Sequence, residues 1–337
     1  MGRGDGFGDA AAALRGFLRV AGGCAVLDGG LATELEAHGA ELRDELWSAN
    51  CLVSAPHLIR KVHLDYLEAG ANIITSASYQ ATIEGFQSKG FSREQSEALL
   101  RRSVHVAQEA RAAFAERDAR PVLAAASIGS YGAYLADGSD GDYGKSVTKE
   151  TLKDFHRRRL QVLAGAGPDL IAFETIPNKL EAQAYAELLE EEDIHIPAWF
   201  SFTSKDGVNA ASGDPIMECA AVGDSCERVA AVGVNCTAPR FIQGLIHSIK
   251  KVTDKPVVVY PNSGETYIAE TKEWVNSDDA SGTDFASYAG KWRQAGAVLV
   301  GGCCRTSPDT VRAIAQALRE DDDVADEYDD YPVVAVL

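Results

Sequence analysis

A (β/α)8 barrel, the TIM barrel of the α/β class built as a single domain, is the fold this sequence predicts, and three observations predict it. The chain has 337 residues and 46% hydrophobic content, enough for one large core and too apolar for a disordered segment. Eight short β-rich apolar runs recur along it, each followed by a longer segment of helical character. No Pro/Gly/Ser-rich linker and no repeat of fixed period breaks this rhythm from near residue 24 to the C-terminal region. A doubly wound open sheet uses the same units, but eight of them in roughly 300 residues favour closure into a barrel.

The strand candidates, in order, are CAVLD (24–28), NIITSAS (72–78), PVLAAASI (121–128), DLIAFET (169–175), PAWFSFTS (197–204), VAAVGVNC (229–236), PVVVYP (256–261) and AVLVGGC (297–303). Between them lie helix-like stretches such as SREQSEALLRRSVHVAQEARAAFAER (92–117), TKETLKDFHRRRLQVLAGAG (148–167), NKLEAQAYAELLEEE (178–192) and APRFIQGLIHSIKKV (238–252). A last helix is expected after Ser307, with Ser307 as N-cap and Pro308 in the first turn. Residues 1–20 read as an N-terminal extension, 21–319 as the barrel and 320–337 as an acidic tail, since eight acids crowd the stretch EDDDVADEYDDYP.

Composition narrows the function classes. A formal charge of −18 argues against nucleic-acid binding, which needs a basic surface to release counterions. No window approaches the roughly 18 apolar residues of a membrane helix, so no membrane partner is expected. The N-terminal stretch lacks a basic start followed by an apolar block, carries Asp5 and Asp9, and has almost no serine, which points to the cytoplasm. Seven cysteines, an odd number without a secretion signal, read as reduced thiols rather than a disulfide framework.

In a barrel of this kind chemistry sits at the C-terminal ends of the strands. Those ends hold Asp28, Ser78, Tyr79, Ser127, Glu174, Ser204, Asn235, Cys236, Asn262, Cys303 and Cys304. Three cysteines, Cys236, Cys303 and Cys304, therefore meet on one rim, while Cys24, Cys51, Cys219 and Cys226 suit small buried hydrophobes. Three thiolates match a zinc site with one position left for substrate, the arrangement of catalytic rather than structural zinc. A buried thiol pair or a vicinal disulfide is the alternative for the adjacent Cys303 and Cys304. It requires a strained peptide and leaves Cys236 unused. The seven histidines show no HExxH spacing and are scattered over helical stretches. Gly29 and Gly30 follow a strand without the spacing of a dinucleotide loop, and are expected to let backbone amides approach a substrate.

GGCCRTSP (301–308), GVNCTAP (233–239) and LDGGLATELE (27–36) together resemble the homocysteine S-methyltransferase family, with TSASYQAT (75–82), FETIPN (173–178) and YPNSGE (260–265) adding to the likeness. The resemblance runs from about residue 25 to about 318. It implies a zinc-bearing (β/α)8 barrel in which Cys236, Cys303 and Cys304 ligate zinc and the homocysteine sulfur takes the open position as a thiolate. That sulfur then receives a methyl group from a positively charged sulfonium donor, giving methionine. It further implies that Asp28 and Glu174 bind the amino group of homocysteine, with Gly29, Tyr79 and Asn235 in the substrate shell and Arg305 and Thr306 supporting the loop. One helix and the acidic tail after the last strand leave no room for a cobalamin module or the C-terminal arm of betaine-using relatives. S-Methylmethionine is thus the expected donor, with S-adenosylmethionine second, and a monomer is expected. A selenocysteine methyltransferase is the alternative reading, and a non-catalytic zinc- or thiol-binding barrel another.

Overall fold

In the computed structural model, residues 10–42, 47–135, 141–268, 273–275 and 284–329 are described. The strands are β1 Ala25–Val26, β2 Ile73–Thr75, β3 Leu123–Ile128, β4 Leu170–Ile176, β5 Ala198–Phe202, β6 Val229–Asn235, β7 Val257–Tyr260, β8 Thr266–Ile268, β9 Glu273–Val275 and β10 Ala297–Val300. Eight of them pair in parallel in the order β1-β10-β7-β6-β5-β4-β3-β2. The two ends of that order meet: Leu27 bridges Ile73 in parallel register, and Asn72 N and Asp28 N donate to Val26 O and Ile73 O at 2.6 and 3.0 Å. The sheet is a closed barrel, with each predicted run on a wall strand. The antiparallel pair β8–β9 is an insertion between β7 and the next helix that the sequence reading does not contain.

The helices are α1 Ala10–Val20, α2 Leu31–Ala37, α3 Cys51–Ser54, α4 Pro56–Ala69, α5 Ile83–Ser88, α6 Arg93–Ala115 and α7 Tyr131–Leu135. They continue with α8 Lys149–Ala164, α9 Lys179–Glu191, α10 Ile216–Ser225, α11 Pro239–Ile249, α12 Phe285–Ala295 and α13 Pro308–Asp329. Local chemistry sets their ends. Ser92 and Gln95 form a capping box at α6, Thr148 and Thr151 do so at α8, and the Asn178 side chain accepts from Glu181 N at α9, which satisfies amides that the helix itself leaves unpaired. Pro56 and Pro239 open α4 and α11, where a missing N–H costs nothing. Helix α13 begins at Pro308, and its backbone runs to Asp329, so the boundary given to the acidic tail falls inside the helix.

Both faces of the wall strands are buried, which is why they read as unbroken apolar runs. Outward-facing Ile171, Phe173, Phe200 and Val232 pack under the helices with Tyr185 and Trp292. Inward-facing Ala25, Ala125, Ala172 and Ala231 are small and leave room for Trp199 and Tyr260, whose rings meet edge to face at 6.2 Å. Helix α1 belongs to this inner core: Ala10, Leu14 and Leu18 pack on Leu170, Ala230 and Leu299. Leu170 and Ala230 lie at the starts of β4 and β6, and Arg15 of α1 donates to Asp254 O, just before β7, at 2.6 Å, so α1 stops the end of the barrel opposite the strand C-termini. No described helix is long and apolar enough to cross a membrane.

Candidate metal and substrate site

Strand β6 ends at Asn235 and β10 at Val300, and the turns after them bring three sulfurs together. Cys236 Sγ lies 3.0 Å from Cys303 Sγ and 3.5 Å from Cys304 Sγ, with 4.0 Å between the latter two. Two Zn–S bonds of about 2.3 Å at a tetrahedral angle separate their sulfurs by about 3.8 Å, so the donor set fits one tetrahedral ion with small adjustments. All three cysteines are half-buried, leaving an open side. As thiols they crowd one another: contact with Cys303 and then burial hold Cys236 well above the ordinary range, and contact with Cys236 does the same for Cys304. A cation reverses that preference by stabilising thiolates. The remaining cysteines, Cys24, Cys51, Cys219 and Cys226, are buried and form no disulfide, as small hydrophobes.

Backbone conformation aims the sulfurs. Thr175, Cys236 and Arg305 all adopt positive φ, at 57°, 48° and 63°, a region that costs a non-glycine residue roughly 1–2 kcal/mol and that clusters at functional sites. Thr306 is wholly buried and locks the cysteine turn: its Oγ1 donates to Cys303 O at 2.7 Å and accepts from Gly30 N at 3.2 Å. Cys303 N donates to Pro261 O at 2.7 Å, and Cys236 N to Tyr260 O at 3.1 Å. The Gly30 amide is therefore occupied by Thr306, which corrects the expectation that it serves a substrate. Packing also calls for glycine at both positions. A Cβ on Gly29 would stand 2.8 Å from the Tyr66 ring, and one on Gly30 2.8 Å from Cys303 O.

Two carboxylates face this centre from the ends of β1 and β4. Asp28 is 5% exposed and accepts from Thr75 N at 2.7 Å and Thr75 Oγ1 at 3.0 Å. Burial pushes its carboxyl up to about 8, opposed by Thr75 and reinforced by Glu174. Glu174 is 8% exposed, accepts from Ser127 Oγ, and is raised by burial against the opposing pull of Ser127, Tyr260 and Arg159. An ammonium brought beside two such buried, partly desolvated acids would favour their ionised forms.

Asn235 is wholly buried and its amide is engaged within the protein. Its Oδ1 accepts from Thr175 N at 2.7 Å, and its Nδ2 donates to Thr175 Oγ1 at 2.9 Å and lies 3.9 Å from Cys303 Sγ. Tyr79 is half-buried, hydrogen-bonds Thr175, and is held well above the ordinary phenol range by burial and then by Cys236. Ser204 and Asn262 build turns, accepting from Gly207 N and Gly264 N, both at 3.0 Å. The sequence reading did not single out Thr75, Thr175, Tyr66, Arg159 or Tyr260. Thr75, Thr175 and Tyr260 lie inside quoted motifs, whereas Tyr66 and Arg159 sit on helices with no local signal.

A second grouping, Glu34, His38 and Asp65, also gathers three donor atoms within 4.8 Å of one another. Lys61 already holds Asp65 at 3.0 Å and His38 reaches Asp65 at 2.7 Å, so this group braces α2 against α4. A cavity of about 630 Å³ lined by Glu68, Arg117, Arg120, Arg312 and Arg319 lies by the starts of β2 and β3, at the far end from the cysteines.

Comparison with known proteins places this geometry. The sequence model of the family "Homocysteine S-methyltransferase" matches residues 25–318. The chain is 78% identical to homocysteine S-methyltransferase 4 of Zea mays over 339 residues, covering 98% of both chains. It is 61% identical to the selenocysteine Se-methyltransferase of Brassica oleracea var. italica, over 90% of this chain and 92% of that one. The crystal structure of the homocysteine methyltransferase MmuM from Escherichia coli in its metallated form superimposes with a TM-score of 0.78 at 42% identity, over 87% of this chain and 96% of that one.

Proposed function

The chain belongs to the homocysteine S-methyltransferase family and is a methyltransferase, and from that premise we propose that it methylates homocysteine with S-methylmethionine, using zinc held by Cys236, Cys303 and Cys304. The observation that carries this reading is the convergence of three sulfurs at 3.0–4.0 Å on the same rim as two buried carboxylates. When bound, zinc lowers the pKa of a coordinated substrate thiol and fixes its sulfur, supplying a thiolate nucleophile near neutral pH.

The protein's own groups do the rest. Asp28 and Glu174 take the ammonium of homocysteine, and Thr75 and Ser127 hold those carboxylates in place. The short chain of homocysteine then carries its sulfur toward the cysteines. Asn235, fixed by Thr175 and Ser201, lends an N–H to Cys303 and keeps that sulfur aimed. Transfer joins the donor methyl to the homocysteine sulfur and breaks the sulfonium S–CH3 bond, so a positive and a negative charge vanish together. Two substrates filling the open side of this half-buried rim would displace water, which favours that loss of charge, and alignment of donor and sulfur can supply about 7–11 kcal/mol.

S-Methylmethionine yields two methionines per transfer, and S-adenosylmethionine one. Selenocysteine is the second acceptor reading, favoured by the likeness to the Brassica enzyme, because a carboxylate pair recognises the amino group that both acceptors share. In this reading the protein is a cytoplasmic monomer whose thiols stay reduced, in keeping with seven cysteines outside any disulfide. Incubating purified protein with homocysteine and, separately, S-methylmethionine, S-adenosylmethionine and betaine tests the donor. The expected outcome is two methionines per S-methylmethionine consumed at the highest kcat/KM of the three, and a higher kcat/KM with betaine would overturn the assignment.

A further inference from the structure

Arg159 stands on α8, in the outer ring of helices, yet it is only 2% exposed. Its guanidinium reaches the rim and donates to three backbone carbonyls, Gly129 O at 3.0 Å and Ser78 O and Tyr79 O both at 2.7 Å. Those carbonyls belong to the turns after β2 and β3, which pass so closely that a Cβ on Gly129 would stand 2.4 Å from Tyr79 O. Taking a guanidinium out of water costs several kcal/mol, and no carboxylate forms a salt bridge with it among the described residues. Among carboxylates, charge balance comes at longer range from Glu84 and then from Glu181. That carboxylate is itself held by His156 at 2.8 Å and by Tyr185, whose hydroxyl also bonds Gly129 O at 3.3 Å.

From the clamped turns, hydrogen bonds run directly to the substrate groups. Ser78 Oγ donates to Ser127 O at 2.7 Å, Ser127 N donates to Ser76 Oγ at 3.1 Å, and Ser127 Oγ donates to Glu174. The Tyr79 side chain, carried by the same turn, bonds Thr175. We propose that Arg159 is a positioning residue that sets the affinity for the amino-acid end of homocysteine by clamping the β2 and β3 turns that orient Glu174 and Tyr79. This inference rests on the assignment of Glu174 and Tyr79 to the homocysteine site.

The test uses the full chain with Arg159→Met and Arg159→Lys, varying homocysteine at saturating donor and donor at saturating homocysteine. KM for homocysteine should rise roughly 10- to 100-fold in Arg159→Met, as expected when charge-assisted hydrogen bonds that hold a binding group are lost. Arg159→Lys, which keeps the charge but not the fork of donors, should fall between it and the wild type. Donor KM, kcat and metal per chain should stay within about threefold. Leu160→Ala, a core truncation one residue along the same helix, should lower Tm without moving KM, which separates positioning from general destabilisation. If the arginine variants do not fold, Tyr185→Phe removes one hydroxyl from the clamp and should raise only KM for homocysteine, by roughly 3- to 10-fold.

An unchanged KM in folded variants, or a joint fall of kcat and both affinities that tracks Tm, overturns the proposal. Calorimetric titration of homocysteine separates this result from the reading beneath it. A wild type that binds homocysteine without making methionine overturns methyl transfer, while loss of that binding in Arg159→Met still supports the clamp. A wild type that does not bind homocysteine overturns both.

Discussion

In the proposed site, Asp28 ties folding to binding through a single side chain. Its carboxyl is pushed up to about 8 by burial from an ordinary value of 3.8, so between pH 4 and 8 the folded chain holds a proton that the unfolded chain has released. Stability then falls as pH rises through that window, and is flat below it. Asp28→Asn should flatten the decline of Tm between pH 5 and 8, and saturating homocysteine should oppose it in the wild type, because an ammonium pays the cost of ionising the buried acid. A wild-type decline left unaltered in Asp28→Asn would show that Asp28 is not its source. At this scale the sequence is informative where a residue type is rare and specific: cysteine, aspartate and glutamate at strand ends pointed to the centre. It is silent where the role comes from the surroundings. Thr175 is an ordinary threonine until its φ of 57° and its bonds to Asn235 and Tyr79 are seen, and Arg159 reads as one of three basic residues in RRR, a surface pattern, until the fold buries it.

The element that matters most is the turn 301–306, which carries two of the three sulfurs and is held from within by Thr306. That hydroxyl joins Cys303 O to Gly30 N, tying the turn after β10 to the turn after β1. Thr306→Val keeps the shape and removes two hydrogen bonds, leaving Cys303 O and Gly30 N only their backbone bonds to Thr306 N and Thr306 O, both at 3.2 Å, at a cost of about 1–3 kcal/mol for the pair. The expected result is a lower Tm together with metal affinity weakened roughly tenfold or more by chelator competition, since loss of orienting contacts around ligands typically has that effect. An unchanged chelator midpoint would show that the turn holds its shape without the hydroxyl. Wall strands were legible as elements because a sheet covered on both faces produces continuous apolar runs, as in VAAVGVNC and PVVVYP. The β8–β9 pair was not, because strands of three residues are too short to show a period. Helix α1 was passed over because its Ala- and Leu-containing face plugs a barrel end that exists only once eight strands have closed.

At the scale of the whole molecule the barrel divides its tasks, with α1 stopping one end and the chemistry at the other. Leu14 is 2% exposed in the inner core, and Leu14→Ala should destabilise by about 2–5 kcal/mol while leaving kcat/KM per folded molecule unchanged, as denaturant unfolding and steady-state rates together will show. A proportional fall in kcat/KM would mean that the inner core transmits strain to the rim. Closure itself was legible from the count of strand–helix units, and closure is what allows residues 67 positions apart in sequence, Cys236 and Cys303, to lie 3.0 Å apart. The central claim is that this triad holds the metal on which methyl transfer depends. Its most direct test is to measure metal per chain and methionine formed from homocysteine and S-methylmethionine in the wild type and in Cys236→Ser, Cys303→Ser and Cys304→Ser. The account predicts about one zinc per wild-type chain, with zinc and activity lost together in each variant. Activity lost while zinc stays bound, or methionine formed at the wild-type rate without zinc, would contradict it.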